Sequence, residues 1–146
     1  MALPDETGST ASVTAGRGSV RREVRIAVPA DEVWALAGDP ARVHEWFPGI
    51  VGSTVDGTTR VITTASGIPI PEQILTEDRL QRRFQYRITA PIVREHLSTL
   101  DVFDLDGGTS LVVYSVDADP AIMALILAGA AGHALEHLRH LLEGSP

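Results

Sequence analysis

Residues 19–28, SVRREVRIAV, alternate along the chain. Val20, Val24, Ile26 and Val28 share one side with Arg22, while Arg21, Glu23, Arg25 and Ala27 share the other. This two-residue period predicts a half-buried strand. Pro29 stops it, and ADEVWALAG at 30–38 reads as a short helix with acidic residues in its first turn. Asp39-Pro40 then starts a second short helix. An aspartate accepts from free N–H groups there, and proline suits the first helical position. Pro48-Gly49 closes this helix.

From residue 50 to 119 the pattern is one of strands and turns. IVGSTVD, TTRVITTA, EQILTED, RRFQYRITA, EHLSTLDVFDL and TSLVVYSVDA are separated by Asp56-Gly57, Ser66-Gly67, Asp78, Pro91 and Asp106-Gly107-Gly108. Gly and Asp tolerate the positive φ of tight hairpins, and connections this short leave no room for helical crossovers, so the sheet is antiparallel. Phe84, Tyr86 and Ile88 point inward against Arg83, Gln85, Arg87 and Thr89. In EHLSTLDVFDL neither parity is clean, which leaves the side faced by His96 open.

Asp119-Pro120 repeats the pairing of a cap with a first-turn proline and opens a helix over about 121–142. At about 100° per residue, Met123, Leu127, Ala130, Ala134, Leu138 and Leu141 fall in one stripe. The order is one strand, two short helices, six strands and one long helix. Only the last helix is long enough to cover the apolar face of a sheet. The fold class is therefore α+β, a curved antiparallel seven-stranded sheet wrapped around the C-terminal helix, with the two short helices plugging one end.

Composition narrows the function. The 146 residues fit one domain, taken as 19–146 behind a Gly-, Ser- and Thr-rich disordered tail over 1–18. Without cysteine there is no disulfide or thiolate chemistry, and without lysine no Schiff base. A net charge of −7 with no basic stripe argues against nucleic acid. The N-terminus lacks the features of a signal peptide. The longest uncharged apolar stretch, 120–135, is shorter than the roughly 20 residues a bilayer needs, so a cytoplasmic protein without membrane insertion is expected.

VRIAVPADEVWALAGDPARVHEWFPGI at 24–50 and DGGTSLVVYSVDADP at 106–120 resemble the START-like, or SRPBCC, helix-grip superfamily. That group includes polyketide cyclase/dehydrase-like proteins, the birch-pollen-allergen family, lipid-transfer domains and abscisic acid receptors. The likeness covers roughly 19–143. It implies an apolar cavity between sheet and long helix, with no cofactor. Trp34 then anchors the first short helix, and Trp46 and Phe47 stand at the cavity rim. SGIPIP at 66–71 is similar to the gate loop of the abscisic acid receptors, which places Ile68 over the opening.

Candidate ligand contacts are Trp46, Phe47, Ile68, Phe84, Tyr86, Met123, Ile126, Leu127, Ala130 and His133. Gly129 and Gly132 leave cavity space under the helix or let it pack closely on the sheet. Candidate acid–base groups are Glu72 and His96, because a carboxyl against apolar walls and an imidazole both titrate near neutrality. HALEH at 133–137 matches the inverted zincin pattern, with His140 a further nitrogen. The chain ends 9 residues after His137, leaving no room for that family's downstream ligand, so no metal is expected. Three readings follow: a binder of a small hydrophobic or aromatic molecule, a cofactor-free cyclase or dehydratase in the same pocket, and a protein-interaction domain without ligand.

Overall fold

The computed structural model describes residues 16–144. Most of the expected tail, 1–15, lies outside them. Residues 16–18 belong to the domain: the Gly16 carbonyl accepts from Ala121 N–H at 3.0 Å, and Gly18 opens the first strand.

Seven strands form one antiparallel sheet: β1 Gly18–Ile26, β2 Ile50–Asp56, β3 Thr59–Thr64, β4 Pro69–Asp78, β5 Arg83–Ile88, β6 Glu95–Asp104 and β7 Ser110–Asp119. They lie in the order β1-β7-β6-β5-β4-β3-β2. Thus β2 to β7 follow as a meander of hairpins, and β1 closes onto β7 from the far end of the sequence. The helices are α1 Ala30–Ala37, α2 Val43–Trp46 and α3 Ala121–Glu143, with a 3₁₀ turn at Pro40–Arg42 before α2. This is the helix-grip architecture.

The caps at the two Asp-Pro pairs differ. Asp39 accepts from Ala41 N–H at 3.0 Å, as expected of a cap before a first-turn proline. Asp119 does not cap α3. It is the last residue of β7, its carboxylate pairs with Arg94, and Pro120 occupies the cap position without a side-chain hydrogen bond. Strand pairing and an arginine partner thus take the carboxylate away from the helix.

The long helix keeps Ala134 and Leu138 of the expected stripe buried but is rotated from the rest. Its buried positions are Ala124, Ala128, Ala131, Ala134, Leu135 and Leu138, whereas Ala130 and Leu141 are exposed. Small side chains let the helix approach β1 and β7 closely, while the larger Met123 and Leu127 sit at the flank of the contact, half-buried. Gly132 belongs to the same close fit: a Cβ there would stand 3.1 Å from Cδ of Arg22 on β1. Gly129 is exposed with open space around it, so neither glycine hollows a cavity under the helix. At 23 residues and a mean hydropathy of 1.5 over its most apolar window, α3 exceeds the expected apolar stretch and has the length and composition of a membrane span. Its alanine face against β1 and β7 makes it the core helix of the domain.

Candidate functional site

In β6 the inward row is His96, Ser98, Leu100 and Val102, which settles the parity left open by the sequence. Pairing between β5 and β6 stops at Tyr86–Ser98. Beyond that point the strands part, and His96 fills the gap. Its Nδ1 accepts from Ile88 N–H at 2.8 Å, and its Nε2 lies 2.8 Å from Ser98 Oγ. An accepting Nδ1 assigns the proton to Nε2, which donates to the serine. The ring is 7% exposed, and burial lowers its pKa to about 4 against a smaller opposing pull from Asp117. His96 is thus a neutral imidazole standing in for missing strand pairing.

On the next strands Arg60 and Glu72 are cross-strand partners in β3 and β4. Arg60 Nε donates to Glu72 Oε1 at 2.7 Å, with the two side chains 4% and 2% exposed. The guanidinium carbon also lies 5.1 Å from the Phe84 ring centre and 4.7 Å from that of Tyr86. A cation over aromatic faces recovers part of the solvation lost on burial. Burial raises the Glu72 pKa, and the charge and hydrogen bond of Arg60 oppose it. Tyr86 and Tyr114 place their hydroxyls 2.5 Å apart, and burial raises both phenols.

Trp46, at the end of α2, closes this cluster from the helical side. Its ring is 2% exposed, and its Nε1 has no hydrogen-bond partner among the described residues. Ala37, Val43, Trp46, Arg60, Phe84, Tyr86, Leu100 and Tyr114 line a small pocket of about 10 Å³. That is near the minimum space for a single water. His96 does not line this pocket; with Ile88 it lines a wider cleft of about 540 Å³ around the β5–β6 connection, and a second cleft of about 540 Å³ lies beside α1 at Trp34.

The structure brings together only part of the expected contact set. Trp46, Phe84 and Tyr86 line the cavity, and Phe47 packs beside it against Trp46 and Tyr114. Ile68 is 58% exposed at the β3–β4 turn, where Gly67 adopts a φ of +85° and Ala65 N–H reaches the Gly49 carbonyl. Ile126, Ala130 and His133 lie on the outer face of α3, because the alanine stripe rather than theirs meets the sheet. His137 and His140 are exposed there too, and no group of three metal-ligating side chains occurs among the described residues. Trp34 lies partly buried against Gly38, where a Cβ would collide with the indole, in keeping with an anchoring role.

Arg60, Ser98 and Tyr114 were missed as site residues. Arg60 shares its parity with buried Ile62, and counting outward from Ser66 pairs it with Glu72. Tyr114 keeps phase with Val112 and Val116. Both signals are visible in the sequence once the hairpin centres are known.

A family profile described as polyketide cyclase/dehydrase and lipid transport matches residues 17–143. Among curated proteins none matches. Among solved structures, an uncharacterized protein from Bacillus thuringiensis is 26% identical with a TM-score of 0.79, covering 85% of this chain and 98% of its own. The protein XoxI from Bacillus cereus is 24% identical with a TM-score of 0.80, over 85% of this chain and 94% of that one. The di-domain ARO/CYC protein BexL of the BE-7585A biosynthetic pathway is 21% identical with a TM-score of 0.74, over 88% of this chain and 48% of that one.

Proposed function

Because this chain belongs to the polyketide cyclase/dehydrase and lipid transport family, we propose that it binds a small hydrophobic or aromatic molecule between its sheet and helices. The observation that carries this reading is the polar cluster at the heart of an otherwise apolar core. Arg60, Tyr86, Tyr114 and Trp46 line one small space, with Glu72 paired to Arg60 behind it and the Trp46 Nε1 unpartnered among the described residues. A few polar groups on apolar walls are what orients a small ligand in a pocket. A core meant only for stability gains nothing from a buried ion pair, since well-packed apolar residues do as well or better.

At about 10 Å³ the pocket is too small for such a molecule, so a ligand enters by displacing a wall. The sheet side is held by strand pairing. The opposite wall is Val43 and Trp46 of a four-residue helix and Ala37 of α1, and it is the side that yields. Glu72 and His96 support binding better than acid–base catalysis. The carboxylate of Glu72 is engaged by Arg60, and both imidazole nitrogens of His96 are engaged by Ile88 and Ser98.

Native mass spectrometry of protein from its own host tests the reading. An added mass on the order of a few hundred daltons that is lost on unfolding is expected. An unliganded mass, together with unchanged tryptophan fluorescence across a library of aromatic compounds, would overturn it.

A further inference from the structure

A motif of the sequence that the pocket leaves unused lies on the outer face of α3. His133, Glu136, His137 and His140 are all exposed there. Glu136 is engaged by Arg139, whose Nη2 lies 2.8 Å from its Oε2. His133 and His137 stand about one helical turn apart on the same face, the spacing at which two imidazoles reach a single ion. No group of three metal-ligating side chains occurs among the described residues, so one chain supplies a pair and falls short of a full shell. Zinc takes four ligands in a tetrahedron, and neutral imidazoles suit it.

A twofold axis provides the missing two. When two α3 helices run antiparallel about an axis midway between His133 and His137, each His133 comes beside the His137 of the second copy. The same operation sets Ile126, 56% exposed, opposite Gly144 of the second copy. Nothing lies within 4 Å of where a Gly144 Cβ would stand, which leaves room for the isoleucine. It also sets Leu141, 47% exposed, beside the exposed Ala130. Large aliphatic side chains thus meet small residues on either side of the histidines. We propose that His133 and His137 of two copies form a shared zinc site that closes an antiparallel dimer along α3. The shortage of ligands that argues against zinc within one chain does not apply to a site shared by two. A net charge of −7 opposes self-association without the ion, which makes the dimer depend on zinc.

Size-exclusion chromatography with light scattering, with and without zinc chloride, tests the site beside a measurement of bound zinc. A dimer holding one zinc per two chains is expected, and EDTA should return it to monomer. His133→Ala and His137→Ala should each raise the zinc needed for the dimer at least about tenfold, since each removes a ligand. Both positions are exposed, so the fold should be unaffected. His140→Ala should keep the dimer. Ile126→Glu should weaken it while all four imidazoles remain in place. A monomer at every zinc concentration, one zinc per monomer, or a dimer that survives loss of either histidine would overturn the shared site. Loss of the dimer in His140→Ala, or no effect of Ile126→Glu, would overturn the proposed ligands and register.

Discussion

Arg60 and Glu72 meet across β3 and β4 with Nε 2.7 Å from Oε1, each side chain nearly sealed from water. Removing one partner leaves the other charged and enclosed. Glu72→Gln is therefore expected to destabilise the fold by about 3–5 kcal/mol in chemical denaturation. The double variant Arg60→Met with Glu72→Leu should recover most of that loss, because two apolar side chains need no solvation. A double variant no more stable than the single one would mean that packing, not charge, holds this corner.

His96 makes stability depend on pH. Its folded pKa of about 4 lies below the ordinary 6.5, so between these values the unfolded chain binds the proton that the folded chain refuses. Stability is full above about 6.5 and falls as pH drops toward 4, by on the order of 2–3 kcal/mol. Glu72 acts in the opposite sense, since its raised pKa makes folding favour the protonated form. The test is thus the difference in denaturation free energy between wild type and His96→Gln at each pH. That difference should shrink on acidification over this range; a constant one would contradict the buried neutral ring.

The two tyrosines of the chain are both raised by burial. Ultraviolet titration should show no phenolate at pH about 10, where a free phenol is half ionised. Absorbance should rise only as the protein unfolds in alkali. An early one-proton transition would place one of the hydroxyls in water.

Two alanines two residues apart test the rotation of α3. Ala128 is fully buried and Ala130 is exposed. Ala128→Leu should cost about 1–3 kcal/mol by overpacking. Ala130→Leu should stay within about 0.5 kcal/mol. Thermal melts of the two variants give the answer directly.

The sheet was legible because its hairpins carry Asp-Gly and Ser-Gly turns and clean alternation, as at Phe84, Tyr86 and Ile88. The face of α3 was not, because an alanine-rich helix offers two apolar stripes and hydrophobicity favours the one with larger side chains. Packing chose the face with four alanines beside Leu135 and Leu138, since closeness to β1 and β7 outweighs bulk along most of the contact. The site was half legible for a related reason. Phe84 and Tyr86 follow from type and parity and Trp46 from the family resemblance, but Arg60 reads as a solvated charge until its cross-strand partner is known. His96 reads as a catalytic base until the end of β5–β6 pairing shows what it replaces.

The helix α3 rests on β1 and β7, whereas Arg60, Glu72 and Tyr86 stand on β3, β4 and β5. Frame and interior thus lie largely in different stretches of the chain and meet at Tyr114 of β7. Substitutions at Trp46, Phe47 or Leu100 can reshape the interior while the alanine seam stays untouched. Descendants of this sequence are free to change that interior without relearning how to fold.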